Sequence, residues 1–194
     1  MKTVVFDTEC NGMFDEAICQ LSAIIVENGE YTGINRYFAV DHMNDYAMRV
    51  HGLSKMRLHD LSGGVRFEEW AVDNIHPFLD ADVYVGHNVS QDMHVLRKNL
   101  KRIGINFDKA KTFCTMKHFN SALHLKGKTG QAKPPRLDEL CAYYKIEEDA
   151  IFAFCTRVFG EGRYHAHDAR YDSAATLLCI LEAQKCGDLK GVIK

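Results

Sequence analysis

Ile18-Cys19-Gln20-Leu21-Ser22-Ala23-Ile24-Ile25-Val26-Glu27-Asn28-Gly29 is the stretch from which the fold can be read. Ile18 to Val26 is mostly apolar and closes at Asn28-Gly29. Asn-Gly accepts the positive φ angles of a two-residue hairpin turn. Tyr31 to Val40 follows with strand-like composition. The two segments therefore pair antiparallel across the turn. Upstream, Val4-Val5-Phe6 is a β-branched and aromatic run, read as a strand ending near Glu9. The chain opens as a three-stranded meander.

Helical spacing then takes over. Phe67 to Leu79 carries Trp70, Ala71, Ile75 and Phe78 at helical intervals, with Pro77 near its end. Asp82 to Gly86 reads as a short strand. Ser90 is the expected N-cap of a helix running to about Arg102, with Gly104 as its stop. Lys111 to Cys114 reads as another strand. Arg136 to Tyr144 reads as a helix introduced by Pro134-Pro135, and Ala169 to Cys186 as the last helix, stopped by Gly187. Strands first, then helix and strand in alternation, predict an α/β fold with a mixed sheet flanked by helices. The Lys- and Gly-rich stretch from His124 to Pro135 reads as a mobile loop, not a linker. Residues 1–194 are expected to form a single domain.

Bulk composition excludes several classes. The hydrophobic fraction of 46% is that of a globular protein. The N-terminus meets an acid at Asp7 and does not read as a signal peptide. No stretch is long and apolar enough to span a membrane. Seven cysteines include no C-x-x-C pair, so no zinc site is expected, and reduced thiols in a cytoplasmic protein are. The net charge of −2 does not announce a nucleic-acid binder, but its distribution is uneven. Between Arg97 and Arg136, Asp108 is the only acid among many lysines and arginines, whereas the N-terminal segment is acid-rich. Such a chain can hold cations at one region and phosphates at the other; solvated surface lysines account for the basic stretch equally well.

Three acidic sites carry chemistry. In Phe6-Asp7-Thr8-Glu9, residues two apart on a strand point to the same face, so Asp7 and Glu9 stand side by side. Two adjacent carboxylates repel unless a cation offsets them, although an exposed strand end with solvated acids has the same sequence. In Gly86-His87-Asn88-Val89-Ser90-Gln91-Asp92, Asp92 heads an apolar stripe continued by Leu96, Leu100 and Ile103. It serves either as a partly buried ligand or as a first-turn acid on its own helix. In His167-Asp168-Ala169-Arg170-Tyr171-Asp172, Asp172 heads a second stripe through Ala175, Thr176, Cys179 and Ile180. On a continuous helix His167 would point about 140° away from Asp172, so it reaches the same site only from a loop ahead of the helix. His165 and Asp168 are set aside.

Taken in order, D-x-E, then D, then H-x-x-x-x-D resembles the DEDD exonuclease superfamily in its histidine-bearing branch. That branch includes the proofreading subunit of bacterial replicative polymerase, the three-prime repair exonucleases, ribonuclease T and oligoribonuclease. Val50 to Ser54, Cys114-Thr115-Met116 and Leu137 to Cys141 are weaker family-like features between the motifs. One departure follows Glu9, where Cys10-Asn11-Gly12-Met13 stands in place of a small polar residue and a Gly-Leu pair.

The resemblance implies a ribonuclease H-like five-stranded sheet with antiparallel N-terminal strands. It implies 3′→5′ removal of nucleotides from single-stranded DNA by two-metal-ion hydrolysis. Asp7, Glu9, Asp92 and Asp172 would hold two Mg²⁺ or Mn²⁺ ions, and His167 would act as general base. Thr8, whose amide follows Asp7, and Asn88 would touch the terminal nucleotide. Met13, Phe14 and His51 would pack near its base and sugar. A polymerase or a second copy of the chain would be the protein partner. Two alternatives stand beside this reading: an exoribonuclease acting on RNA or short oligoribonucleotides, and a non-catalytic nucleic-acid-binding or polymerase-docking module. A ribonuclease H-type endonuclease fits the H-x-x-x-x-D ending poorly.

Overall fold

The structure is a computed structural model that describes residues 1–193. The opening meander is present as β1 (Thr3–Cys10), β2 (Ile18–Glu27) and β3 (Glu30–Tyr37). Asn28 and Gly29 turn with φ of 53° and 81°, and Glu27 pairs with Glu30 across them. Both turn residues take positive φ, the geometry for which Asn-Gly was expected. Four helices follow: α1 (Asp45–His51), α2 (Lys55–Ser62), α3 (Phe67–Asn74) and α4 (His76–Leu79). Next come β4 (Val83–Gly86), α5 (Val89–Arg102), β5 (Thr112–Cys114), α6 (Thr115–His118) and α7 (Asn120–Leu123). The chain then forms α8 (Leu137–Tyr143), α9 (Glu148–Phe159) and α10 (Ala169–Cys186).

The strands form one sheet in the order β3-β2-β1-β4-β5. The β1–β2 and β2–β3 pairs are antiparallel, and the β1–β4 and β4–β5 pairs are parallel. This is the expected mixed five-stranded sheet. Its alternation sends Val4 and Phe6 into a core with Phe67, Ala71, Phe78, Met93 and Leu96 from α3, α4 and α5. Val5 faces the other way, into a core with Leu140, Ile151, Leu177 and Ile180 from α8, α9 and α10. Phe6, Phe78 and Tyr84 meet edge-on or tilted at centroid distances of 5.2 to 6.2 Å. Full burial of one such ring stabilises the fold by about 1.5–3 kcal/mol. The Asp7 and Glu9 positions share the Val5 face at the end of β1, beyond the apolar part of the strand.

The structure corrects two local expectations. Ser90 is not the N-cap of α5; Asn88 is, in the left-handed region at φ 75°. β4 ends at Gly86, where an added Cβ would lie 3.1 Å from the Phe6 carbonyl oxygen and 3.2 Å from Val89 Cβ. The chain must therefore turn within His87-Asn88, and Asn tolerates that conformation better than most residues. Phe67 to Leu79 is not one helix. It breaks at Ile75, and Pro77 sits in the first turn of α4, where its missing N–H leaves no helical bond unmade.

The helices α1, α2, α6, α7 and α9 occupy segments to which the periodicity assigned no element. Of these, α9 lies against β3, where Gly33 admits it closely: an added Cβ would meet the Val158 carbonyl oxygen at 2.5 Å. The Lys-rich stretch expected as a loop contains an isolated antiparallel bridge, Lys126 to Ala132, with Gly127 N–H donating to the Gln131 carbonyl at 2.7 Å. Among the described residues no helix is long and apolar enough to cross a membrane.

Candidate active site

Three chain segments converge where β1 ends. Asp7 and Glu9 project from it on one face, and Asp172, in the first turn of α10, meets them. One carboxylate oxygen from each of the three lies within 4.8 Å of the others. Asp92 arrives from the first turn of α5 and is buried. Its Oδ1 accepts from the Thr8 amide at 3.1 Å and from Thr8 Oγ1 at 2.9 Å. Thr8, expected at the substrate, thus also ties Asp92 to the strand that carries Asp7 and Glu9.

The electrostatics are those of a cation site. Burial, followed by the charges of Asp92, Asp172 and Glu9, holds Asp7 well above the usual carboxylate range. Burial and the charge of Asp172 do the same to Glu9. Burial pushes Asp172 up to about 7 and Asp92 up to about 6, although hydrogen bonds from His167 and Thr8 oppose the rise. None of the ion pairs among the described residues involves any of these four carboxylates. Packed carboxylates without a cationic side chain are a hard oxygen donor set, which fits Mg²⁺ or Mn²⁺.

His167 stands just ahead of α10, as its spacing from Asp172 required. It is exposed, adopts φ 64°, and its amide donates to Asp172 Oδ2 at 3.1 Å. Its side lines a cleft of about 490 Å³ together with Asp7, Glu9, Asn88, Asp92 and Asp172. Asn88 thus reaches the same cleft. Met13 and Phe14 do not; they line an adjoining apolar pocket of about 420 Å³ with Thr8, Glu9, Tyr46 and His51. Met13 is 88% exposed and Phe14 93%. The His51 ring is buried; its Nδ1 accepts from the Leu53 amide at 3.1 Å, and its Nε2 has no hydrogen-bond partner among the described residues.

Sequence reasoning set Asp168 aside, and the structure gives it a task. Asp168 caps α10, and Arg170 binds both its oxygens, at 3.0 and 2.5 Å. Gln20 Nε2 donates to Asp168 Oδ1 at 2.9 Å from near the start of β2, and its Oε1 accepts from the Ala169 amide. Burial alone would raise Asp168, but the bonds from Arg170 and Gln20 outweigh it and hold the group below its ordinary range. The residue after His167 is therefore anchored to β2. A polar Gln20 inside a mostly apolar strand was an available signal.

His87 was quoted only as part of a motif. It bridges Thr115 Oγ1 at 3.0 Å and the Pro135 carbonyl at 2.9 Å, fixing the entry to α8 beside the cleft. The basic stretch is partly neutralised: Lys98 binds Glu16, Arg102 binds Asp15, and Lys133 binds Glu139. His165 is exposed, and its ring bonds to the neighbouring Ala166 carbonyl.

A parallel-antiparallel sheet whose central strand ends in clustered carboxylates defines a class, and comparison with known proteins agrees. The RNase_T family model, described as exonuclease, matches residues 4–178. The chain belongs to that exonuclease family, within the DEDD superfamily. It is 27% identical over 161 residues to the DNA polymerase III subunit epsilon of Buchnera aphidicola, a match that covers 76% of this chain and 63% of that protein. It is 26% identical over 181 residues to the PolC-type DNA polymerase III of Halalkalibacterium halodurans, covering 89% of this chain and 11% of that one. Exonuclease I from Methylocaldum szegediense superposes with a TM-score of 0.70 at 17% identity, over 95% of this chain and 40% of that one. E. coli exonuclease I in complex with a dT13 oligonucleotide superposes at 0.68 and 16% identity, over 96% and 42%. The chain thus spans less than two thirds of the length of each of these proteins.

Proposed function

We propose that this chain is a metal-dependent 3′→5′ exonuclease that removes nucleotides from single-stranded DNA. The observation that carries the reading is the convergence of Asp7, Glu9 and Asp172 within 4.8 Å, in a cleft that His167 also lines. Membership of the exonuclease family supports it. The DNA polymerase relatives and the oligonucleotide held by E. coli exonuclease I favour DNA as the polymer.

Asp7, Glu9, Asp92 and Asp172 would hold the divalent ions, which would supply charge stabilisation to the attacking and leaving oxygens of a phosphodiester displacement. His167 accepts the proton of the attacking water, since an imidazole nitrogen placed beside the reacting atoms can serve as a general base. It lines the cleft from outside α10, and its amide donates to Asp172. Asp168, locked by Arg170 and Gln20, keeps that turn from rotating. Asn88 and the Thr8 amide position the terminal nucleotide. Met13, Phe14 and His51 offer an apolar wall to its base and sugar, and stacking on such a wall tolerates any base.

The test is a digest of end-labelled single-stranded DNA and RNA, side by side with Mg²⁺, with one arm carrying a blocked 3′ end and another a circular strand. The proposal expects stepwise shortening of the DNA from its free 3′ end and intact blocked and circular substrates. Faster loss of RNA would reassign the polymer, and cleavage of the circle would overturn the exonuclease reading.

A further inference from the structure

We propose that Cys141 and Cys179 form a peroxide-reactive dithiol, a covalent modification site that closes to a disulfide joining α8 to α10. The two Sγ atoms lie 3.6 Å apart, on different helices, and both residues are buried. No other pair of the seven thiols is hydrogen-bonded among the described residues. The two differ in access. Cys179 is sealed in the core at 0% exposure, whereas Cys141 lines a cavity of about 620 Å³. That cavity is walled by Leu137, Ile146, Ile151 and Tyr171, and it reaches His167 and Asp172. A small uncharged oxidant entering it meets Cys141 first.

The pair also divides the chemical labour. Either sulfur can donate in the hydrogen bond between them, so access decides the roles. Cys141 borders the cavity through which the oxidant enters and Cys179 does not, so Cys141 is the attacking sulfur. Its thiolate attacks one oxygen of hydrogen peroxide, the O–O bond breaks, and the departing hydroxide takes a proton and leaves as water. Cys141 is left as the sulfenic acid. Cys179 sulfur then attacks Cys141 sulfur, the S–O bond breaks, and the second oxygen departs as water with the remaining thiol proton. Two thiols are oxidised and one peroxide is reduced to two waters. The sulfurs must approach from 3.6 Å to about 2.05 Å, a movement that falls on the seven-residue α8 more readily than on the eighteen-residue α10.

Peptide mapping of the full chain decides the matter. Reduced protein is treated with hydrogen peroxide, its free thiols are blocked with N-ethylmaleimide, and it is digested without reductant. The expected product is a linked peptide pair carrying Cys141 and Cys179. In Cys179→Ser the link is absent and Cys141 is labelled by dimedone, because the sulfenic acid has no partner. Oxidation of the exposed Cys186 with no Cys141–Cys179 peptide in the same sample would overturn the proposal. So would a folded Cys179→Ser protein whose Cys141 takes no dimedone. Mapping of the unsubstituted chain stands whether or not the variant folds.

Discussion

The main-chain amide of His167 donates to Asp172 Oδ2, five positions on, at 3.1 Å and closes over the first turn of α10. One bond therefore sets both the metal-ligand candidate and the base candidate. His167 itself sits in the left-handed region at φ 64°, a conformation that costs a non-glycine residue about 1–2 kcal/mol.

Replacing His167 separates fold from chemistry. His167→Ala is expected to stay folded and lower turnover by about 10²- to 10⁴-fold, the usual contribution of a positioned base. His167→Gly is expected to lose as much activity while melting at or above the temperature of the parent, because glycine adopts positive φ without strain. Turnover equal to the parent's in either variant would remove the base assignment.

Metal and pH act on the same carboxylates. Asp92 and Asp172 titrate at about 6 and about 7 in the fold, whereas an unfolded aspartate titrates near 3.9. Between those limits the folded chain holds more protons than the unfolded one. The contribution of these groups to metal-free stability is thus complete below about pH 4 and is lost as pH rises through 6 and 7. Mg²⁺ competes with those protons, so its stabilising effect should grow from about pH 5 to about pH 8. Thermal melting with and without Mg²⁺ measures this; an increment independent of pH would count against a carboxylate-held ion.

Asp168 is expected to act through His167. Asp168→Ala leaves the Arg170 guanidinium, only 15% exposed, without its partner, and breaking such a pair costs about 3–5 kcal/mol. Asp168→Asn keeps an acceptor for Arg170 and should retain more stability. The asparagine variant should still show a lowered kcat, a nearly unchanged KM and a displaced pH–rate profile. Activity that merely tracks the folded fraction in both variants would reduce Asp168 to a structural role.

Phe14 offers a nearly free ring beside the cleft. If the terminal base stacks there, Phe14→Ala should raise KM for single-stranded DNA by about tenfold, with a smaller change in kcat. Melting temperature should not move, since the ring buries little in the free protein. An unchanged KM would place the base elsewhere.

Much of this was legible in the chain itself. Strand parity alone puts Asp7 and Glu9 on one face, and the apolar stripes behind Asp92 and Asp172 place both acids at the heads of core-facing helices, leaving open whether Asp92 is a ligand or a first-turn acid. Asn28-Gly29 determines the hairpin, because few residue pairs tolerate two positive φ angles. Other features were passed over or left no local trace. Helix α9 does carry an apolar face at helical spacing, formed by Ile151, Phe152, Phe154, Cys155, Val158 and Phe159, but no capping bond from Glu147 marks its start. The bond from Gln20 to Asp168 joins residues 148 positions apart, beyond any periodicity.

The sequence by itself thus determined which residues could be acids of a site and which faces they occupy, since strand and helix periods are properties of the local backbone. Only the tertiary structure decided that Asp7, Glu9 and Asp172 share a space of a few ångströms, that Thr8 serves Asp92, and that Asp168 anchors the His167 turn. Those distances are set by how β1, α5 and α10 pack across the sheet. The raised carboxylates exist for the same reason: burial and mutual repulsion belong to the packed assembly and to no single segment of the chain.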